Sequence, residues 1–235
     1  MTEQTVTRRT SRLLIAGRVV VALISVVAFT AMGVVWFRID KFQEKVTTTN
    51  AVVKAQEAPD APPANDGAND ILVVGSDTRT DLQGRPLSAS ILRKLRTEAT
   101  ETINTDTLIV LRIPHSGGKS YAISIPRDTY TQVPGHREEK INGAFGVTKQ
   151  RFAADLRKRG ERNAEKIEPE SDSAGRAALV QTVGNLTGVR IDHYAEVTLY
   201  GFYLLTEAID GVEVCLNHST SDTDSGANFR KGPQT

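Results

Sequence analysis

Residues 70–77 of the chain read DILVVGSD, an apolar run that ends at turn-forming residues. Four consecutive apolar residues bounded in this way predict a strand that is buried on both faces of an α/β sheet. We therefore expect the folded domain to begin at Asp70 and to occupy residues 70–235, an ordinary length for one domain.

Apolar strands and helical patterns alternate after this first strand. The runs at 107–113 and 121–125 flank a Ser-Gly-Gly turn, which predicts a hairpin. Helices are predicted at residues 88–102, 152–159, 175–186 and 202–209, and further strands at residues 195–199 and 212–216. Strands interleaved with helices predict an α/β fold in which helices cover a central mixed sheet.

A second apolar stretch lies near the N-terminus. Residues 19–37 read VVVALISVVAFTAMGVVWF and contain no charge. A helix of this length nearly spans the hydrocarbon core of a bilayer, and Trp36 at its end suits the membrane interface. A cleaved signal peptide would have a shorter apolar run and small residues at a cleavage site. The pattern therefore predicts one retained transmembrane helix.

The charges around this helix predict its orientation. Residues 1–18 carry four arginines, at positions 8, 9, 12 and 18, which favours a cytoplasmic N-terminus. Residues 38–69, which include the stretch APDAPPANDGAN, are predicted to be an extended extracytoplasmic linker. We therefore expect a single-pass protein of the cell membrane whose domain, residues 70–235, lies outside the cytoplasm.

Composition excludes several classes of function. The 29 basic and 28 acidic residues nearly cancel, so we expect no nucleic-acid partner. Cys215 is the single cysteine, which excludes an internal disulfide and a zinc site built from cysteines. The sequence also lacks GxxxxGK[ST], GxGxxG and GxSxG, the usual signatures of phosphate loops, dinucleotide sites and serine hydrolases.

Acidic and basic residues follow the apolar strands. Asp77 comes directly after the first strand and Asp106 opens the second, while Arg79 and Arg127 lie close to strand ends. Ligands of open α/β sheets bind where such loops converge. Carboxylates suit a divalent cation and arginines suit phosphate, so the pattern indicates a site for a phosphorylated ligand. The alternative is that these residues form exposed salt bridges or cap turns.

Several short motifs, in their order along the chain, resemble the LytR-CpsA-Psr family. The resemblance covers residues 70 to 235, and the membrane-anchored N-terminus matches the usual layout of that family. The motifs are GSDTR (75–79), TDT (105–107), SIPRD (124–128), KINGA (140–144), GVEV (211–214) and FRKGPQ (229–234).

The resemblance implies a phosphotransferase of the cell wall. Family members transfer a glycopolymer from a polyprenyl pyrophosphate lipid to peptidoglycan through a phosphodiester bond, and lipid monophosphate leaves. By the same resemblance Asp77 and Asp106 would hold Mg²⁺, Arg127 would bind the pyrophosphate, and Arg79 would be a further phosphate contact. An apolar channel for the lipid, or alternatively ordinary core packing, would involve Val73, Val110, Ile123, Phe145, Leu199 and Phe202.

The chain departs from the family pattern at two places. Asn104 stands where the family usually has an arginine, so it would donate a hydrogen bond to the substrate phosphate without a charge. The family also continues beyond residues 232–234 into a helix and an Arg-x-Arg segment, so we expect a chain truncated at its C-terminus. The alternatives are an inactive relative that binds lipid pyrophosphate or wall partners, a polyprenyl pyrophosphatase and, least favoured, a membrane-anchored transcription regulator.

Overall fold

The computed structural model describes residues 4–43, 48–64, 66–81, 85–95, 97, 103–223 and 227–235. The chain divides into two compact units, residues 1–47 and residues 48–235. The last residues of the predicted helix 88–102 lie outside the described residues.

The first unit consists of the helix α1 (Gln4–Gln43), which is 40 residues long. Its segment Leu14–Val34 is long and apolar enough to cross a membrane, and its side chains are exposed. At about 1.5 Å per residue this segment is about 31 Å long, close to the thickness of a bilayer core. The apolar span thus begins at Leu14, before the predicted start at Val19.

In the described residues, the second unit is built from short strands and five helices. The helices are α2 (Ala51–Gln56), α3 (Ala89–Lys94), α4 (Ala144–Lys158), α5 (Ala164–Thr187) and α6 (Leu199–Ala208), and a 3-10 turn, Ile141–Gly143, precedes α4. The strands are β1 (Ala68–Ser76), β2 (Thr105–Pro114), β3 (Tyr121–Ile125), β4 (Tyr130–Gln132), β5 (Glu138–Lys140), β6 (His193–Thr198), β7 (Val214–Leu216), β8 (Thr220–Asp222), β9 (Ala227–Phe229) and β10 (Gly232–Gln234).

The central sheet has four strands in the order β3-β2-β1-β6. The pairs β1–β2 and β2–β3 are antiparallel and β1–β6 is parallel, so the predicted mixed sheet and its hairpin are confirmed. In this topology Ser76 at the end of β1 pairs with both Thr105 of β2 and Thr198 of β6. The GSD, TDT and β6–α6 segments therefore meet at one edge of the sheet.

The core lies between one face of this sheet and the helices α2, α4 and α5. Burial alternates along β1, because Leu72 and Val74 are buried whereas Val73 is only half-buried. This corrects the prediction that the first strand is buried on both faces. The closely packed residues are Leu72, Val74, Leu108 and Val110 from the sheet and Phe145, Leu179, Val180 and Val183 from the helices.

Residues 48–62, named the strap below, belong to the folded unit. This corrects the prediction that residues 38–69 form an extended linker and that the domain begins at Asp70. Within the strap, Ala51 and Ala55 lie one turn apart on α2 and are buried. Their small side chains let α2 pack against α5, which the composition of the segment did not reveal.

Side-chain hydrogen bonds fasten both ends of the strap. Ser173 Oγ donates to Asn50 Oδ1 over 2.6 Å at the beginning of the strap. Near its end, the amides of Gln181 and Asn185 on α5 each donate to the Asp60 carboxylate over 2.6 Å. The strap therefore contributes packing and polar contacts on one side of α5.

Candidate active site

The site lies at the sheet edge where β1 ends. Gly75 faces Thr107 of β2 so closely that a Cβ atom at position 75 would lie 2.9 Å from Thr107 Cβ. Side chains do not approach one another this closely without strain. The glycine of the GSD motif thus allows β1 and β2 to stay paired up to the residues of the site.

A β-bulge displaces Asp106 from the regular pairing. Gly75 pairs with Thr107 while Ser76 pairs with Thr105, so Asp106 is the extra residue on β2. Bulges bend a strand and redirect a side chain, and they are frequent next to active sites. The Asp106 side chain is accordingly well exposed to solvent.

Asp77 is held at the same edge by its main chain. Its amide donates to the carbonyl oxygen of Asn104 over 3.0 Å, one step beyond the Ser76–Thr105 pair. Asn104 thus contributes its main chain to the site, whereas the sequence predicted a contact between its side chain and phosphate. The two predicted carboxylates, on Asp77 and Asp106, therefore sit on adjoining strand ends.

Arg79 turns back onto Asp77. Its Nη1 donates to the Asp77 carbonyl oxygen over 2.8 Å and also contacts the Asp77 carboxylate. Its Nε donates to Thr97 Oγ1 over 2.9 Å, and only 14% of the Arg79 side chain is exposed. In this arrangement Arg79 balances the charge of Asp77 from within the loop.

Arg127 pairs with Asp106 from the other side of the site. Its Nη1 donates to Asp106 Oδ1 over 2.9 Å, and both side chains are largely exposed. Arg127 occupies a turn that is closed by Thr129, whose amide and hydroxyl donate to the Pro126 carbonyl oxygen over 2.9 and 2.7 Å. The structure thus brings the predicted residues together as two carboxylate–arginine pairs.

The SIPRD and KINGA motifs form one structural unit. The amides of Ile141 and Asn142 donate to the carbonyl oxygens of Thr129 and Arg127 over 2.8 and 3.2 Å. These main-chain bonds place the beginning of the 3-10 turn directly against the Arg127 turn. The two motifs, separate in sequence, therefore build one wall of the site.

Two further charged residues lie on this wall. Lys140 Nζ donates to Asp128 Oδ1 over 2.7 Å, and this hydrogen bond holds the pKa of the Asp128 carboxyl below its ordinary value. Arg127 Nε lies 3.9 Å from Asp128 Oδ2. Both residues belong to the SIPRD and KINGA motifs but were not among the predicted site residues, although charges at strand ends were the available signal.

The carboxylates of Asp77 and Asp106 are the groups at this sheet edge that could contact a divalent cation. In the described residues, no group of three Asp, Glu, His or Cys side chains comes together in a way that could hold a metal ion. Mg²⁺ needs only one or two carboxylates, because water and phosphate oxygens complete its shell. The hydroxyls of Ser76 and Thr78, on either side of Asp77, are buried and have no hydrogen-bond partner in the described part of the chain. The donors that fit Mg²⁺ at this sheet edge are the carboxylates of Asp77 and Asp106.

The residues named as lining a lipid channel do not share one surface. Val110 and Phe145 are fully buried in the core, where they pack against α5 and neighbouring strands. Ile123 and Phe202 are half-exposed. For Val110 and Phe145 the alternative of ordinary core packing is therefore correct.

Comparison with known proteins covers most of the chain. A sequence model of the LytR_cpsA_psr family matches residues 35–235, which is most of the chain. The chain belongs to the LytR-CpsA-Psr family. The resemblance predicted from the short motifs is thus confirmed, and the match includes the strap as well as the sheet.

Curated members of the family from two genera show the extent of the similarity. The chain is 43% identical over 218 residues to the cell wall biosynthesis protein LcpA of Corynebacterium glutamicum, covering 93% of this chain and 42% of that protein. It is 27% identical over 163 residues to the polyisoprenyl-teichoic acid–peptidoglycan teichoic acid transferase TagU of Bacillus anthracis, covering 69% of this chain and 38% of that protein. The chain thus spans less than half the length of these relatives.

Solved structures of family members are similar in part. TagV of Bacillus subtilis matches with a TM-score of 0.44 at 22% identity, over 72% of this chain and 52% of that chain. The LytR-CPS2A-psr family protein YwtF (TagT), solved with bound octaprenyl pyrophosphate lipid, matches with a TM-score of 0.43 at 18% identity over the same shares.

Proposed function

We propose that this member of the LytR-CpsA-Psr family is a membrane-anchored phosphotransferase that attaches a glycopolymer, carried on polyprenyl pyrophosphate, to peptidoglycan. The observation that carries the proposal is the pairing of two carboxylates with two arginines at one sheet edge, Asp77 with Arg79 and Asp106 with Arg127. The relatives named for cell wall biosynthesis and for teichoic acid transfer to peptidoglycan support the same reaction.

The reaction requires a site that accepts concentrated negative charge. A peptidoglycan hydroxyl attacks the phosphorus next to the glycopolymer and loses its proton. The phosphodiester P–O bond forms, the bridging P–O bond of the pyrophosphate breaks, and lipid monophosphate leaves. Arginine suits this chemistry because its planar guanidinium binds phosphate oxygens with two parallel hydrogen bonds. Arg127 is the exposed arginine of the two pairs and would make this contact.

We also propose that Asp77 and Asp106 hold Mg²⁺ when substrate is bound. The cation would supply positive charge to the pyrophosphate oxygens as charge develops on the leaving group. The solvent-accessible carboxylates of Asp77 and Asp106, on adjoining strand ends, support this assignment. Arg79 and Arg127 each pair with one of these two carboxylates.

The proposed location follows from the substrate and from the first helix. The span Leu14–Val34 would anchor the protein in the cell membrane, where a polyprenyl lipid resides. The arginines that precede residue 19 favour a cytoplasmic N-terminus, and the second unit would then lie outside the cytoplasm. Membrane lipids, the lipid-linked glycopolymer and peptidoglycan are then its partners.

The full chain in detergent, supplied with Mg²⁺, lipid-linked glycopolymer and peptidoglycan, tests the proposal. We expect lipid monophosphate to be released and polymer to become attached to peptidoglycan. Asp106→Ala should lower both rates by about 10²-fold or more, because it removes a proposed metal ligand and also the ion pair that orients Arg127. Asp155→Ala, which removes an exposed carboxylate from α4, is the matched control and should retain both rates.

Each other outcome contradicts a defined part of the proposal. Release of phosphate without attachment would identify a polyprenyl pyrophosphatase, in which water replaces the sugar hydroxyl. Binding of the lipid without any release would identify an inactive relative. An unchanged rate in Asp106→Ala, or activity that persists with a chelator, would contradict the metal role.

A further inference from the structure

Asp128 stands between the two exposed cations of the wall. Its Oδ1 accepts a hydrogen bond of 2.7 Å from Lys140 Nζ, and its Oδ2 lies 3.9 Å from Arg127 Nε. The Arg127 guanidinium is held on its other side by Asp106, at 2.9 Å. The four side chains thus form an alternating row of charges, Asp106, Arg127, Asp128 and Lys140, along the sheet edge.

Stability does not explain this row. More than half of the Arg127, Asp128 and Lys140 side chains is exposed, and exposed ion pairs contribute little to folding because water screens them. Without a carboxylate between them, the two cations would repel each other and sample several rotamers. In the row, one carboxylate separates the two positive charges.

The main chain beneath the row is rigid enough to make such positioning effective. Residues 126–129 form a closed turn, and two hydrogen bonds tie it to the amides of Ile141 and Asn142. Lys140 itself pairs with Tyr130 in the β4–β5 ladder. The backbone positions of Arg127, Asp128 and Lys140 are thus set by one continuous network.

We propose that Asp128 is a positioning residue that holds the Arg127 guanidinium and the Lys140 ammonium side by side, ready for the two phosphates of a lipid pyrophosphate. This inference rests on the proposed function and names a residue that acts through its neighbours. Asp128 touches no reacting atom. Its contribution is that less side-chain freedom is lost when the pyrophosphate binds.

The sign of the expected effect separates positioning from simple electrostatics. If Asp128 were only a nearby negative charge, its removal would strengthen the binding of an anion. If it positions the two cations, its removal weakens that binding. Asp128→Asn keeps the size of the side chain and an acceptor oxygen but removes the charge, so it tests the two possibilities directly.

The experiment measures the dissociation constant of farnesyl pyrophosphate for the full chain in detergent, with Mg²⁺, by calorimetry. We expect Asp128→Asn to weaken binding by about fivefold, the size of a favourable exposed ion-pair coupling. Asp128→Glu should restore most of the affinity. The matched control, Glu138→Gln, removes a carboxylate from the same hairpin, two residues before Lys140, and should leave the affinity unchanged or slightly stronger.

A double-mutant cycle gives a readout that a purely structural role would not affect. In a Lys140→Met background, Asp128→Asn should weaken binding less than it does in the wild type, because one of the two cations it positions is gone. Thermal unfolding of each variant should match that of the wild type. Equal or tighter binding by Asp128→Asn, or full additivity in the cycle, overturns the inference.

The two proposals fail in distinguishable ways. If the wild-type chain does not bind farnesyl pyrophosphate at all, the proposed function fails, and the inference fails with it. If the wild type binds the pyrophosphate and Asp128→Asn binds it equally well, only the positioning role is overturned.

Discussion

Arg127 and Asp106 form an ion pair in which the guanidinium Nη1 lies 2.9 Å from the carboxylate Oδ1. The pair joins the turn after β3 to the bulge at the start of β2. Each partner therefore neutralises and orients the other at an exposed sheet edge. A bound pyrophosphate would compete with Asp106 for this guanidinium, and a cation on Asp106 would favour that exchange.

Replacement of the guanidinium by an ammonium tests how Arg127 binds phosphate. Arg127→Lys keeps the charge but loses the planar pair of donors. We expect kcat/KM for glycopolymer transfer to fall about tenfold, because a hydrogen bond to a charged group contributes about 1.5 kcal/mol or more. The exposed Arg137→Lys is the control. Equal activity of Arg127→Lys and the wild type would show that charge alone is sufficient.

The close approach at Gly75 predicts a stability effect. Gly75→Ala places a Cβ atom 2.9 Å from Thr107 Cβ, which forces β1 and β2 apart next to the bulge. We expect the free energy of unfolding to fall by about 1–3 kcal/mol, the usual cost of overpacking, as measured by chemical denaturation. Gly118→Ala, whose nearest neighbouring atom would be 3.8 Å from the new Cβ, should change stability little. Similar losses in both variants would contradict this explanation.

The strap predicts a pattern of proteolysis. Because Asp60 accepts hydrogen bonds from Gln181 and Asn185, Asp60→Ala should loosen the end of the strap from α5. We expect faster cleavage between residues 48 and 62 in the variant, and mass spectrometry of the fragments measures its rate. Glu57→Ala, in the same segment, removes an exposed carboxylate and serves as the control. Rapid cleavage of the wild-type strap would contradict its assignment to the folded unit.

Glu161 predicts a pH dependence of stability. Hydrogen bonds from the amides of Asn163 and Arg162, together with Lys166, lower the pKa of Glu161 from 4.5 to about 2. A lowered pKa in the folded state stabilises the protein above pH 4.5, and this contribution is lost as the pH falls toward 2.

Glu161→Gln removes that contribution. We therefore expect the variant to unfold at a lower temperature than the wild type above pH 4.5, and the difference to shrink between pH 4.5 and 2. Circular dichroism melts over this range measure the difference. A difference that stays constant with pH would mean that the ionised carboxylate is not responsible.

The residues of the site could be named in advance because charged residues at strand ends are visible in a sequence. Asp77, Asp106, Arg79 and Arg127 all stand beside apolar runs, and the motifs identified the family. The pairing between them was not predictable. The Asn104 carbonyl oxygen meets the Asp77 amide because of the register of β1 and β2, whereas Arg79 folds back onto Asp77 within one loop, where Thr97 also holds it.

The folding of the strap, unlike the site residues, could not be predicted from the sequence. Its alanines, prolines and polar residues predicted an extended linker, and nothing within the segment indicates a partner. Burial of Ala51 and Ala55 depends on the surface of α5, more than 100 residues later in the chain. The same holds for Val110 and Phe145, whose place in the core is fixed by helices distant in sequence.

The sequence alone predicted the apolar helix, the mixed α/β class and the family, because hydrophobic periodicity, turn-forming residues and short motifs are local properties. The tertiary structure was needed to show which face of the sheet is covered, where the folded unit begins and which cation lies beside which carboxylate. These features are set by strand register and by packing between distant segments, where a shift of one residue would exchange the side chains that meet.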